Sequence, residues 1–152
     1  MKKFILLALI ALPILAQAQN FKYQKDDSGF KMYKGQATLT GKYSRILDPE
    51  FLEYMGDFIC FEPNKASAHL TPRSKDDERD AGFCFSNFEQ ARKIFKLPNT
   101  IKKGYCKYEG KATITIKDYN VFVEETEGFD LAGLVSAKNI TPVTAVKCEV
   151  YD

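Results

Sequence analysis

Residues 104–123, GYCKYEGKATITIKDYNVFV, carry the longest strand alternation in the chain. With a period of two, Cys106, Tyr108, Gly110, Ala112, Ile114 and Ile116 fall on one face. Lys107, Lys111, Thr113, Thr115 and Lys117 fall on the other, so one face is dry and the other wet. Gly110 interrupts this run without ending it, which predicts one long strand with a bulge or bend at Gly110. Residues 35–42, GQATLTGK, echo 110–117, GKATITIK, at five of eight positions, 75 residues apart. The flanks differ, so common strand chemistry explains the echo better than duplication, and the spacing is too long for a solenoid repeat.

Around this strand the remaining elements follow from local signals. Phe21 and Tyr23, then Phe30 and Met32, alternate about Asp26-Asp27-Ser28-Gly29 and predict a hairpin or an extended lead-in with a turn. Asp48-Pro49-Glu50 opens a short helix that Gly56 closes. Residues 57–61, DFICF, and 82–85, GFCF, read as strands. Between them, 62–81 holds few large apolar residues, two prolines and the charged run KDDERD, and reads as a long surface loop. Ser86-Asn87-Phe88-Glu89 has the form of a capping box, followed by Phe88, Ala91 and Phe95 on one helical face. Further strands are expected at 121–125, 131–137 and 144–150.

Residues 1–18 have the composition of a secretory signal peptide. Lys2 and Lys3 form its basic head, residues 4–15 its apolar run, and Ala16-Gln17-Ala18 its cleavage signal. The apolar run is too short to span a bilayer, and no cysteine ends it for lipid attachment. The expectation is a cleaved leader, 1–18, and a single domain, 19–152, that is periplasmic or secreted with no membrane insertion. The chain has 22 Lys and Arg against 20 Asp and Glu, and the excess of two leaves with the leader. A neutral domain lacks the field that attracts phosphate backbones, so no nucleic-acid partner is expected.

Four cysteines in a small exported chain predict two disulfides, for which three pairings exist. Cys60 points away from Ile59 and Phe61, and Cys84 away from Phe83 and Phe85, whereas Cys106 and Cys148 lie in line with the apolar faces of their strands. That parity pairs Cys60 with Cys84 and Cys106 with Cys148. No two cysteines have zinc-finger or CxxC spacing, and no metal or cofactor is expected.

Catalytic grammar is sparse. The single histidine, His69, falls in the long loop, and no nucleophile-elbow, HExxH, Walker or dinucleotide pattern occurs. Two acidic clusters, Asp76-Asp77-Glu78-Asp80 and Glu124-Glu125-Glu127-Asp130, supply the carboxylates that a calcium site or a hydrolase pair requires, without calcium-loop spacing. Asn139-Ile140-Thr141 matches the glycosylation sequon, relevant only in a eukaryotic secretory pathway.

The predicted order of strand, short helix, strand, long loop, strand, helix, long strand and further strands resembles small exported OB-like proteins. The resemblance covers residues 35 to about 137 and includes the Gly-x-Ala-x-Leu-x-Gly form of 35–41. It implies a mainly β (α+β) fold, a single OB-like antiparallel β-barrel with one or two short helices. Ser28-Gly29 and Lys34-Gly35-Gln36-Ala37 resemble elements of periplasmic lysozyme inhibitors, although they stand closer together here than in that family.

The expected function is that of a non-enzymatic binding protein of the bacterial envelope, such as an inhibitor or immunity protein, acting on another envelope protein or an incoming one. Arg73, Lys75, Asp76, Asp77, Glu78 and Arg79 of the long loop are the candidate partner contacts. Its rivals are an OB-like oligosaccharide or oligonucleotide module, marked by exposed aromatics beside lysine, and a carboxylate-dependent hydrolase.

Overall fold

A computed structural model describes residues 21–73, 76–124 and 126–148; the leader lies outside the described residues. Among these residues eight strands form one sheet: β1 (Lys22–Asp27), β2 (Phe30–Lys34), β3 (Gln36–Ile46), β4 (Ile59–Pro63), β5 (Phe83–Phe85), β6 (Tyr105–Phe122), β7 (Asp130–Lys138) and β8 (Thr144–Lys147). Helix α1 (Pro49–Met55) joins β3 to β4, and α2 (Phe88–Phe95) joins β5 to β6.

β6 is the strand on which the others assemble. Lys107 pairs with both Ile46 and Val146, Thr115 with both Thr38 and Ser136, and Asn120 with both Met32 and Leu131. One edge of β6 therefore serves β3 and then β2, while the other serves β8 and then β7. The ring closes as β6-β3-β4-β5-β7 and back to β6. This ring order, with a helix between its third and fourth strands, is the OB plan anticipated from element order. One pair departs from the antiparallel expectation. β5 and β7 run parallel, from Phe83 opposite Asp130 to Phe85 opposite Ala132, which lets a three-residue strand close the ring.

The two echoing segments are neighbours. Gln36–Gly41 pairs antiparallel with Ala112–Lys117, so their threonines meet across the ladder, with Thr38 and Thr115 hydroxyls 3.2 Å apart and those of Thr40 and Thr113 3.1 Å apart. Leu39 and Ile114 pair on the opposite, buried face.

The bend expected at Gly110 lies elsewhere. Pairing with β3 runs unbroken past Gly110, which stands opposite Tyr43. A side chain there would overlap the buried Tyr43 ring, so the glycine makes room for an aromatic neighbour. In the β6–β7 pairing β6 carries its extra residue at Asp118, with φ of 53°, while a second shift between Thr115 and Ile116 puts the extra residue on β7. Burial alternates through Ala112, Ile114 and Ile116, then resumes one place out of step at Tyr119 and Val121.

Inside the ring, Leu39, Tyr43, Ile59, Phe61, Phe83, Ile114, Ile116, Tyr119 and Leu134 are buried, and α2 closes one side through Ala91 and Phe95. Tyr43 stacks on Phe95 with centroids 4.1 Å apart and donates its hydroxyl proton to the Thr141 carbonyl at 2.9 Å. The predicted capping box of α2 does not form. Asn87 sits at the N-cap position but accepts from Leu134 N–H and donates to the Leu134 carbonyl, both at 2.8 Å, pinning the helix to β7. By contrast, α1 begins as read: Asp48 accepts the Glu50 and Phe51 N–H groups at 3.1 Å, and Gly56 ends it at φ 85°.

Both disulfides pair as side-chain parity indicated, Cys60 with Cys84 and Cys106 with Cys148. The first joins facing residues of β4 and β5 below the long loop, and the second ties the segment after β8 to β6. No described helix is long and apolar enough to cross a membrane.

Candidate functional site

Three surface pockets meet at the β6–β7 connection, all of them lined by Gly128. The first, about 350 Å³, lies on the outer face of β4 and β5 beside Cys60 and Cys84, with Arg79, Asp80 and Phe129 on its walls. The second, about 500 Å³, is lined by Lys31, Arg73, Asp77, Arg79, Glu124 and Glu127, among others. The third, about 220 Å³, lies between α1 and the β6–β7 connection, with Tyr54, Phe58 and Phe129 among its walls. Gly128 is required by contact, since a side chain there would run into the Phe122 ring.

The long connection from β4 to β5 is packed down rather than splayed into solvent. Buried Ser67 donates to the Thr40 carbonyl at 2.8 Å and accepts the Thr40 N–H at 3.1 Å, and Leu70 packs against the core. Farther along, Arg79 reaches Asp77 at 2.7 Å and Asp130 at 3.1 Å. Asp130 is 3 % exposed and also accepts the Tyr119 hydroxyl at 3.0 Å and the Phe122 N–H at 2.9 Å. The loop is thus bound through one arginine to a carboxylate whose other contacts are with β6.

This network divides the predicted contact residues into two groups. Arg73, Asp77 and Arg79 come together in the network, whereas Asp76 and Glu78 are exposed and point to no described partner. Lys75 lies outside the described residues. Arg73 approaches Asp77 to 3.3 Å, near enough for charge attraction, but its buried Nε and Nη2 lack hydrogen-bond geometry to any described residue.

The Arg79 guanidinium, hydrogen-bonded to Asp77, holds the Asp77 carboxyl down at about 2 against the partial burial that opposes it. Arg79 is in turn shifted up by the same bond. Burial, reinforced by Asp130, raises the Tyr119 hydroxyl well above its usual range.

The two acidic clusters are therefore not equivalent carboxylate groups. Asp77 and Asp130 are committed to arginine, Glu124 and Glu127 are exposed, and Glu125 lies outside the described residues. His69 is exposed on a 3-10 turn, Ala68–Leu70. The one group of ligand-type atoms close enough for a metal among the described residues is Asp48, Cys106 and Cys148. Its sulfurs are joined to each other, leaving one carboxylate to act as a ligand.

Sequence reasoning missed Tyr54, Phe58 and Phe129. Their signal was aromatic residues flanking the helix-ending Gly56 and following the Gly128 turn, where local rules ask for polar residues. Compared with protein-family models, curated proteins and solved structures, the chain matches none.

Proposed function

We propose that this is an exported, non-enzymatic binding protein of the bacterial envelope that engages a partner protein, in the manner of an inhibitor or immunity protein. The observation that carries this reading is the anchored long loop. Ser67 and the Arg79–Asp130 pair hold a charged segment in place beside the outer face of β4 and β5. Surfaces ordered before binding lose less conformational entropy on association. An Asp77 carboxyl held down at about 2 by Arg79 suits recognition better than proton transfer, which works best with a group titrating near the working pH. The leader-like N-terminal segment and the two disulfides support an oxidising destination, periplasmic or secreted.

The test is capture of partners from envelope extract and from medium shared with competing bacteria, using the oxidised protein as bait. A stoichiometric protein that withstands moderate salt is expected. Asp76→Ser with Glu78→Ser should weaken that complex about tenfold, in line with loss of interface charges, while leaving the thermal midpoint unchanged. Unchanged affinity would remove the loop from the interface.

A second reading, an oligosaccharide-binding OB-like module, is favoured by the aromatic pocket between α1 and the β6–β7 connection, since OB domains use the corresponding loops for such ligands. Retained glycan with no captured protein would establish it in place of the first.

A further inference from the structure

We infer that the pocket between α1 and the β6–β7 connection is an aromatic cage for an alkylammonium group, namely a lysine side chain of the partner protein. The inference rests on the binding reading above and adds the chemistry the partner must present.

Two ring pairs build the walls. Phe58 meets Phe129 edge to face, with centroids 5.4 Å apart at 63°, and Phe30 meets Phe122 at the same separation and angle. Rings set at steep angles present π-faces from more than one direction, as a cation needs, whereas a sugar ring needs one flat platform. Tyr54 stands at the rim, 80 % exposed, on the last turn of α1, and that turn carries no basic residue.

The charge balance of the lining decides the sign of the ligand. Among the described residues Glu127 is its one charged residue; it is exposed and makes no ion pair with any of them. No described lysine or arginine lines the pocket, so an anionic ligand would meet an acid with no described charge to offset it. A volume of about 220 Å³ suits a butylammonium stem lying along Met55 and the rings with its charge toward Glu127. The first two pockets differ in this respect, since each carries arginine.

The experiment is an NMR titration of the oxidised protein with Nα-acetyl-lysine methylamide, its norleucine analogue, methyl glucoside and choline. The lysine compound should shift the Tyr54, Phe58 and Phe129 ring resonances saturably, and Glu127→Gln should weaken it about fivefold, as should Tyr54→Ala. Equal or tighter binding of norleucine or glucoside, binding of choline alone, or no ring shifts with any probe would overturn the cage. Both substituted side chains are exposed, so loss of the fold is not a competing explanation, and unchanged thermal midpoints check this. A captured partner whose affinity is indifferent to acetylation of its lysines would overturn the cage while leaving the binding function standing. Failure to capture any protein would instead overturn the binding reading itself.

Discussion

The two long connections that leave the ends of β4 show opposite ways of holding a loop. The connection from β3 to β4 is organised locally, with Asp48 capping α1, Pro49 starting it and Gly56 ending it, all within nine residues of chain. One buried arginine then secures it. Arg45, 4 % exposed, bonds Asp57 through Nε at 2.9 Å and Nη2 at 2.6 Å, and reaches the Pro98 carbonyl at 2.7 Å with its guanidinium over the Phe88 ring. The connection from β4 to β5 has one 3-10 turn and is held by contacts distant in sequence, from Ser67 to Thr40 and from Arg79 to Asp130. Local chemistry makes the first connection stiff from within. Tertiary contacts stiffen the second, and of these the Arg79–Asp130 pair lines the candidate site.

If the long connection depends on distant ties, opening the one at its base should have the largest effect. Replacing Cys60 and Cys84 together by serine should cost about 3.5 kcal/mol, the chain-entropy value for a loop of this span, measured by denaturant unfolding. Limited proteolysis should then cut within 64–82 before it cuts within 47–58. Equal cleavage of the two connections would break the contrast.

Asp57→Ala and Asp77→Ala sharpen it, because Asp57 is the carboxylate on Arg45 whereas Asp77 is shared by Arg73 and Arg79. Arg45 is too deeply buried to regain water, so Asp57→Ala should cost about 3 kcal/mol by thermal or chemical unfolding. Arg79, with its side chain 42 % exposed, can rehydrate and keeps Asp130, and Arg73 approaches Asp77 at 3.3 Å without hydrogen-bond geometry, so Asp77→Ala should cost only about 1 kcal/mol. A larger loss at Asp77 would show the long loop to be the more tightly coupled of the two.

The smallest expected effect concerns acid. Asp77 titrates at about 2 in the folded protein, below its ordinary value of 3.8. Its contribution to stability is therefore complete above that ordinary value and is lost as pH falls through about 2. Solvent around Arg79 limits this contribution to about 1 kcal/mol. Stability measured from pH 5 to about pH 2 should fall less in Asp77→Ala than in the parent; parallel curves would remove Asp77 from the acid response.

Legibility in the sequence follows the range of the forces involved. The hairpin at Ser28 and Gly29, with φ of 50° and 81°, the Asp48 cap and the alternation of β6 each depend on residues a few places apart; the first two are present as read, and the alternation is present from Lys111 to Ile116. The disulfide pairing was legible because strand parity is itself local. Asn87 misled the reading because its amide serves Leu134, 47 residues away, better than it serves its own helix. Gly110 misled it because the reason for the glycine is the ring of Tyr43 on another strand. In the candidate site, the charged loop stood out by composition. The division of its residues between the Asp130 network and the exposed surface did not, nor did the aromatic pocket.

What the sequence alone determined is the alternation that makes β6 a long two-faced strand, the turn and cap at 28–29 and 48, and the covalent frame. Backbone geometry and nearest neighbours suffice for these. Only the tertiary structure decided which strands close the ring, where β6 slips register, and that Arg79, Asp130 and Tyr119 join the long loop to the core. Those outcomes depend on burial, which gives a charge pair or a hydroxyl its structural value only once distant segments have excluded water around it.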